Sequence, residues 1–207
     1  RETAREITAL GGTAIATRGD IGDPAACRAI VAEVTERLGA PDILVLNAST
    51  EIRQDWLAID AAAFDRQVDV NLRSTLVLLQ ATLPGMVARG WGRVVTVGSI
   101  QEVKPNPRLL VYAALKAAQA NLAANLAREV AASGVTVNNL APGAIATDRN
   151  RGVLADPDYR ARVEGLIPAH RVGEPGDCVG ACLLLCSEAG RYITGSTLHV
   201  DGGWHAA

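Results

Sequence analysis

The chain has 207 residues, a formal net charge of −2 and no basic block, which argues against nucleic acid as a main partner, because phosphate recognition requires clustered Lys and Arg. No apolar run reaches the ~18 residues of a membrane span and the first residues are charged, so we expect no membrane partner and a cytoplasmic location. The length fits one domain over residues 1–207, and 4 cysteines do not suggest a disulfide framework here.

Apolar runs of strand length alternate with longer stretches of helical period, which is typical of βαβ units around a parallel sheet. We therefore predict an α/β fold. The first half of the chain predicts a helix over residues 2–10 ending at Gly11, a strand over 13–17, a helix over 24–38 capped by Asp23, a strand over 42–46 and a helix over 61–83 with a break near Asn71.

The second half predicts strands over residues 94–97, 135–140 and 197–200, helices over 112–132 and 157–166, and a further helix that carries three cysteines. Cys178, Cys182 and Cys186 recur every four residues. A helix cannot wrap three thiolates around one tetrahedral ion, and no fourth ligand lies at a useful spacing. We therefore predict a buried structural stripe and no metal site.

Tyr112 and Lys116 are the most informative pair in the sequence. Four residues apart on an alanine-rich helix, they lie on one face. An ammonium beside a phenol favours the phenolate and lowers the tyrosine pKa from its usual value near ~10, which suits proton exchange with an alcohol or carbonyl. Alone, such a pair is more typical of an exposed helix surface. Ser99, however, ends a buried strand, where open α/β sheets bind ligands.

Several short segments, in this order and spacing, resemble the short-chain dehydrogenase/reductase family over about residues 11–204. They are Asp20-Ile21, Leu46-Asn47-Ala48, Asn71, Ser99 with Tyr112-x-x-x-Lys116, Pro142-Gly143-Ala-Ile145-Ala-Thr147, and the closing run from His199 to Trp204. The resemblance implies a Rossmann-like, doubly wound parallel sheet. It also implies an NAD(P)-dependent oxidoreductase that exchanges a hydride with a secondary alcohol or ketone, similar to 3-oxoacyl-carrier-protein reductases and sugar or polyol dehydrogenases.

The same resemblance implies four catalytic residues. Tyr112 is expected to act as the general acid or base, Lys116 to lower the tyrosine pKa and hold the cofactor ribose, and Ser99 to hydrogen-bond the substrate oxygen. Asn71 is expected to bind a water that relays protons to Lys116. Asn71 is also a candidate helix-kink residue whose amide satisfies a backbone group, and the two roles are compatible.

Cofactor contacts are implied at further positions. Asp20 and Ile21 match residues that contact adenine, although Asp20 also fits an ordinary turn. Asn47 and Ala48 match the backbone beside the adenosine ribose, where this chain continues with Ser49 instead of the family's glycine. The contacts to the nicotinamide carboxamide and pyrophosphate are implied at Pro142, Gly143, Ile145 and Thr147. Either NAD or NADP fits, because the residue that distinguishes them has no match in this sequence.

The glycine-rich turn that cradles the cofactor pyrophosphate in this family also has no match. We therefore expect that the family's N-terminal β-α-β portion is absent from this chain. Either the residues come from a longer chain with ~35–45 more residues, or a short chain rearranges its sheet and binds no dinucleotide. The second case leads to an alternative function, a non-catalytic binding or assembly module. Both cases predict an unpaired apolar edge at residues 43–46 and no neighbour for a strand at 13–17.

The helix over residues 112–132 is small or apolar on nearly every side, as expected for a helix buried on more than one face, so we predict a homodimer or homotetramer. The substrate pocket is expected from residues 101–103, which follow Ser99, and from residues 148–171. Polar groups there suggest a polar or anionic small-molecule substrate, although charged loops are more often only solvated. These groups are Gln101, Glu102, Arg149 and Arg151.

Overall fold

The computed structural model describes all 207 residues as a parallel sheet of four strands flanked by helices. The strands are β1 (Ile43–Leu46), β2 (Gly92–Val97), β3 (Val135–Pro142) and β4 (Thr197–Val200). The helices are α1 (Glu2–Ala9), α2 (Pro24–Leu38), α3 (Ala61–Val68), α4 (Ser74–Arg89), α5 (Leu110–Val130), α6 (Asp148–Leu154), α7 (Pro157–Leu166) and α8 (Val179–Cys186). None of these helices is long and apolar enough to cross a bilayer.

The strands pair in the order β1-β2-β3-β4, and every pair is parallel. The carboxyl ends of all four strands therefore meet at one edge of the sheet, where the residues that follow each strand come together. β1 lies at the side of the sheet and pairs only with β2. Ile43 and Val45 of β1 are 44% and 43% exposed, which confirms the predicted apolar edge.

Helices cover both faces of the sheet, because successive strand residues point to opposite sides. Val94 packs in the main apolar cluster with side chains of α4 and α5. Val95 packs on the opposite face against Leu185 of α8. The cysteines at positions 178, 182 and 186 pack against this second cluster, but they are half-buried rather than buried as predicted. These two layers of helices around a parallel sheet confirm the predicted α/β class.

Two predicted regions differ from the structure. The strand predicted over residues 13–17 is wrong, because no neighbouring strand pairs with these residues and they form no regular element. In residues 148–175, where the sequence predicts only the helix over 157–166, the structure contains both α6 and α7. The other predicted helices and strands form, with bounds that shift by a few residues.

The long helix predicted over residues 61–83 is interrupted where the sequence predicts a break. α3 ends at Val68, Asp69–Arg73 form one π-helical turn, and α4 begins at Ser74. Such turns insert one residue into the helical ladder and are frequent near functional sites. This turn carries Asn71, which is fully buried.

Candidate active site

A cleft with a volume of about 780 Å³ opens at the carboxyl ends of the strands. Its walls come from the loops after β1, β2 and β3 and from α6 and α7. Several predicted site residues line it together: Asn47, Ser99, Tyr112, Lys116, Pro142, Gly143, Ile145 and Thr147. The parallel topology explains this convergence, because these residues follow three different strands or lie on the helix above them.

Ser99 and Tyr112 meet where β2 ends. Ser99 caps a short helical turn, and its hydroxyl accepts a hydrogen bond from the backbone N–H of Gln101 at 3.2 Å. Tyr112 lies in the first turn of α5 and is only 6% exposed. An interaction with the Ser99 side chain lowers the pKa of the phenol. The two hydroxyl groups therefore face the same part of the cleft.

Lys116 lies one turn after Tyr112 on α5 and is 1% exposed. Its Nζ donates to the carbonyl of Val97 at 2.6 Å and to Oε1 of Gln119 at 3.0 Å. Gln119 in turn donates to the Thr75 hydroxyl at 2.8 Å. Burial disfavours the charged form and lowers the pKa of Lys116 to about 8. The ammonium is therefore charged at neutral pH and loses its proton in mildly alkaline solution.

The pKa of Tyr112 is raised, whereas the sequence predicts that it is lowered. Burial of the phenol is the largest cause, and it outweighs Arg149 and Ser99, which both lower the pKa. The Lys116 ammonium lies over the Tyr112 ring, 5.7 Å from its centre. It hydrogen-bonds Val97 and Gln119 instead of the phenol oxygen. Tyr112 is therefore a neutral phenol here, the form that donates a proton.

Asn71 supports the cleft from behind and does not line it. Its Oδ1 accepts from the backbone N–H of Thr50 at 2.9 Å, and its Nδ2 donates to the Thr50 carbonyl at 2.9 Å. These bonds hold the loop that follows β1. Asn71 therefore satisfies backbone groups with its amide, which is one of the two roles considered for it in the sequence. The Asn71 carbonyl accepts from the Thr75 hydroxyl at 3.2 Å, which links it through Gln119 to Lys116.

The segment after β3 offers a hydrogen-bond donor to a ligand. Gly143 passes so close to Asp201 that a Cβ would lie 2.8 Å from the Asp201 Cα, so a larger residue would displace the backbone. Ile145 is buried, yet its backbone N–H donates to no acceptor in the protein. Because buried N–H groups are almost always paired, this one is available to a ligand in the cleft, next to the side chain of Thr147.

The other predicted cofactor residues lie outside this cleft. Ile21 and Ala48 line a second groove of about 280 Å³ beside β1, which Asn47 also lines. Asp20 is exposed, and its carboxylate accepts from Arg66 at 2.9 Å and from the backbone N–H of Gly22 at 2.9 Å. The hydrogen bond from Arg66 is the main reason that the pKa of Asp20 is lowered. These contacts fit the alternative interpretation of Asp20, an ordinary turn residue.

The loop after β1 and helix α6 contribute charged residues to the cleft wall: Glu51, Arg53, Asp148 and Arg149. Glu51 and Arg53, which the sequence did not single out, form an ion pair at 3.0 Å in the loop after β1. Arg149 crosses the cleft, with Nη1 donating to the Ser49 hydroxyl at 2.9 Å and Nη2 donating to the Ser49 carbonyl at 2.8 Å. Glu51 and Arg53 could have been predicted as site residues from their place in the loop after β1, because ligands bind at the carboxyl ends of parallel strands.

Several predicted pocket residues do not line the cleft, among them Arg151, Val103 and Glu102. Arg151 pairs with the neighbouring Asp148 on the exposed side of α6. Val103 is exposed, and Glu102 turns inward beneath the end of β2. Of the predicted polar pocket groups, the structure therefore places only Gln101 and Arg149 in the cleft wall.

Comparison with known proteins agrees with this architecture. A family model described as enoyl-(acyl carrier protein) reductase matches residues 1–205. The chain is 36% identical over 186 residues to the 3-oxoacyl-(acyl-carrier-protein) reductase FabG of Escherichia coli, and the alignment covers 90% of this chain and 75% of that relative.

Two solved structures superpose closely. A 3-oxoacyl (acyl-carrier-protein) reductase from Agrobacterium tumefaciens with NADP bound has a TM-score of 0.91 at 42% identity, covering 97% of this chain and 78% of the other. A gluconate 5-dehydrogenase from Burkholderia cenocepacia, in complex with NADP and tartrate, has a TM-score of 0.94 at 32% identity, covering 100% and 81%. With its parallel sheet and the cleft at its carboxyl edge, the chain belongs to the short-chain dehydrogenase/reductase family of oxidoreductases.

Proposed function

We propose that this chain is an NAD(P)-dependent oxidoreductase that transfers a hydride between a nicotinamide cofactor and a secondary alcohol or ketone, with Tyr112 as general acid or base. The observation that carries the proposal is the joint placement of Ser99, Tyr112 and buried Lys116 in one cleft at the sheet's carboxyl edge. The relatives support the cofactor, since two of them are NADP-bound structures. They also support the reacting group, since a 3-oxoacyl chain carries a ketone and gluconate carries secondary alcohols.

The donors in the cleft fit a dinucleotide. Lys116 and Tyr112 provide an ammonium and a hydroxyl suited to ribose hydroxyl groups, and the unpaired N–H of Ile145 suits a carboxamide oxygen. Thr147 and Asn47, which also line the cleft, complete the set of its residues that we assign to the dinucleotide. When bound, a reduced nicotinamide supplies the hydride that the carbonyl carbon of a substrate accepts.

The proton for the new hydroxyl group comes from Tyr112 in this scheme. Its neutral phenol donates to the substrate oxygen, and the Ser99 hydroxyl donates a second hydrogen bond to the same oxygen as negative charge develops there. The Lys116 ammonium stabilises the phenolate that remains until solvent returns a proton. In the oxidation direction, the phenolate takes the proton of the alcohol.

The proposal is tested by supplying the full chain with NADPH or NADH and a panel of ketones, including 3-oxoacyl thioesters and keto acids of sugar type. We expect oxidation of the reduced cofactor and formation of an equal amount of secondary alcohol. If no dinucleotide binds and none of the ketones is reduced, the non-catalytic binding or assembly module becomes the better description.

We also propose that the chain is a homodimer or homotetramer. Its support is the apolar surface left exposed on neighbouring helices: Leu110 on α5 is 52% exposed and Leu76 on α4 is 46% exposed. Light scattering coupled to gel filtration is expected to give two or four times the mass of 21.6 kDa. A mass of one chain at micromolar concentration would rule out this assembly.

Arg149→Ala is expected to move the pH profile of carbonyl reduction upward. The Arg149 charge lowers the pKa of both Tyr112 and Lys116, so its removal raises both and extends the active range to higher pH. We expect a shift of a few tenths of a pH unit, because solvent screens this exposed guanidinium. Arg151→Ala, which removes a charge from the same helix outside the cleft, serves as the control and is expected to leave the profile unchanged. A downward shift for Arg149→Ala would contradict the assignment.

A further inference from the structure

Glu102 has an unusual position for a carboxylate beside an active site. Its Oε1 accepts from the backbone N–H of Ser99 at 2.8 Å, and both of its oxygens lie near Nδ2 of Asn139, at 3.1 and 3.0 Å. A Cβ on Gly98 would lie 1.9 Å from Glu102 Oε1. The carboxylate therefore occupies space that is open because residue 98 has no side chain.

The neighbours of this carboxylate are arranged for a charged group. All three hydrogen bonds arrive from N–H donors, so the two oxygens act as acceptors, as an ionised carboxylate does. Oδ1 of Asn139 accepts from the Thr96 hydroxyl at 2.8 Å, which fixes the amide with its NH₂ toward Glu102. Burial raises the pKa of Glu102, and the bonds from Ser99 and Asn139 oppose that rise.

Glu102 and Lys116 hold the same short piece of backbone. Lys116 donates to the carbonyl of Val97, Glu102 accepts from the N–H of Ser99, and Gly98 lies between these residues. The two charges therefore approach the end of β2 together, one from α5 and one from the turn after Ser99. The negative charge of Glu102 raises the pKa of Lys116, whereas burial, the largest influence, and Arg149 both lower it.

The charged and titratable groups around this pair are few. α5 contributes Lys116 and Tyr112, α6 contributes Arg149, and the loop after β1 contributes Glu51. The groups that strands β3 and β4 place near Glu102 are neutral. β3 contributes the Asn139 amide, and β4 contributes Thr197, whose hydroxyl lies 3.3 Å from Nδ2 of Asn139. Removing the Glu102 charge therefore leaves burial and the positive charge of Arg149, both of which disfavour the Lys116 ammonium.

We propose that Glu102 is a positioning residue that acts through Lys116: its carboxylate, seated beneath Gly98, is the counter-charge that keeps the buried ammonium of Lys116 protonated. The proposal rests on the proposed function for its catalytic consequence, but the charge relation itself is measurable without substrate or cofactor. Because the charge of Glu102 raises the pKa of both Lys116 and Tyr112, its loss lowers both.

Glu102→Gln removes the charge and keeps the hydrogen bond to the backbone. The amide oxygen of Gln still accepts from the N–H of Ser99 and the side chain keeps its length, whereas the Gln NH₂ replaces the oxygen that accepts from Asn139 Nδ2 at 3.0 Å, so that bond is lost. The chain contains only two lysines, Lys104 and Lys116. Lysine labelled with carbon-13 at the ε carbon therefore gives two NMR signals, and Lys116→Met identifies which of them belongs to Lys116.

We expect Lys116 to titrate near pH 8 in the unaltered chain and about one pH unit lower in Glu102→Gln, the size expected for a close charge pair in a partly solvated interior. The matched control is Glu129→Gln, which removes an exposed carboxylate from the same helix as Lys116 and is expected to leave its titration unchanged. An unchanged Lys116 midpoint in Glu102→Gln overturns the proposal.

Two further measurements keep the test decisive. If Glu102→Gln does not fold, Glu102→Asp withdraws the carboxylate by one methylene, and the Lys116 midpoint must then fall by a smaller amount for the proposal to stand. In the ketone-reducing assay, the pH above which the rate declines must move down in Glu102→Gln, opposite to Arg149→Ala. Failure to reduce any ketone would count against the proposed function alone, since the lysine titration decides the role of Glu102.

Discussion

Tyr112→Phe is expected to reduce the turnover of ketones by ~10²–10⁴-fold while the protein remains folded and continues to bind the dinucleotide. The substitution removes only the phenol oxygen, the atom that we assign to proton transfer. The ring of Tyr112 is buried and phenylalanine fills the same space, so the core around α5 is conserved. Steady-state rates with a confirmed ketone, together with the thermal midpoint of unfolding, measure the two parts of this expectation.

The matched control is Tyr192→Phe, because Tyr192 is 100% exposed and lies outside the cleft. It is expected to keep full turnover. If Tyr112→Phe retained more than about a tenth of the turnover, the phenol would not be the main proton donor, and a water held by Ser99 would be the better candidate.

Lys116→Met is expected to lower turnover by about 10²-fold or more, because the phenolate formed on Tyr112 then lacks the buried ammonium that lies 5.7 Å from its ring centre. Methionine is close in length to the buried lysine stem, but it leaves the Val97 carbonyl and Gln119 Oε1 without their donor. Each lost partner costs about 1–3 kcal/mol, whereas removing a buried charge offsets part of that cost. Lys104→Met, at the other lysine, is the control for turnover.

The same variant tests the pKa of Lys116 through stability. A lysine that titrates near 8 when folded and near its usual value of 10.5 when unfolded binds fewer protons in the folded state between those pH values. The free energy of unfolding therefore rises with pH in this window, by roughly 2–3 kcal/mol between pH 8 and 10. Urea unfolding should show this rise in the unaltered chain and not in Lys116→Met. The same rise in both would show that Lys116 is not its source.

Much of the fold could be predicted because the strands of a parallel sheet are continuous apolar runs. Residues 43–46 and 94–97 are such runs, and both form strands. Residues 13–17, Thr-Ala-Ile-Ala-Thr, are a weaker apolar run of strand length, and they form no strand, because a strand also needs a partner and none lies beside them. The composition of a segment indicates whether it is suited to form a strand. Whether a neighbouring strand pairs with it depends on the three-dimensional arrangement.

The part of the candidate site that could be predicted is the part whose residues lie at a fixed spacing in the sequence. Tyr112 and Lys116 share one helix face, and Ser99 ends a strand, so their meeting follows from local geometry and parallel topology. The electrostatic state of Tyr112 could not be predicted in this way. A spacing of four residues gives no information on burial, which raises the pKa of the phenol, or on the acceptors that hold Lys116 beside Val97.

Long-range contacts explain the remaining differences. The sequence predicts that Glu102 lies in the pocket wall. Its carboxylate instead accepts a hydrogen bond from Asn139, 37 residues away, and occupies the open space at Gly98. Arg149 reaches Ser49 across 100 residues of sequence. The carboxylate of Asp20 forms an ion pair with Arg66 of α3. No pattern within a short window contains such pairs.

The most direct test of the whole account is a calorimetric titration of the 207-residue chain with NADPH and with NADH. We predict saturable binding of one dinucleotide per chain at micromolar concentration for at least one of the two, and weaker binding to Lys116→Met. The preferred dinucleotide then defines the cofactor for the ketone panel. If neither dinucleotide binds, the cleft at the carboxyl edge is not a cofactor site in this chain, and the assignment of Tyr112, Ser99 and Lys116 to hydride-coupled proton transfer is contradicted.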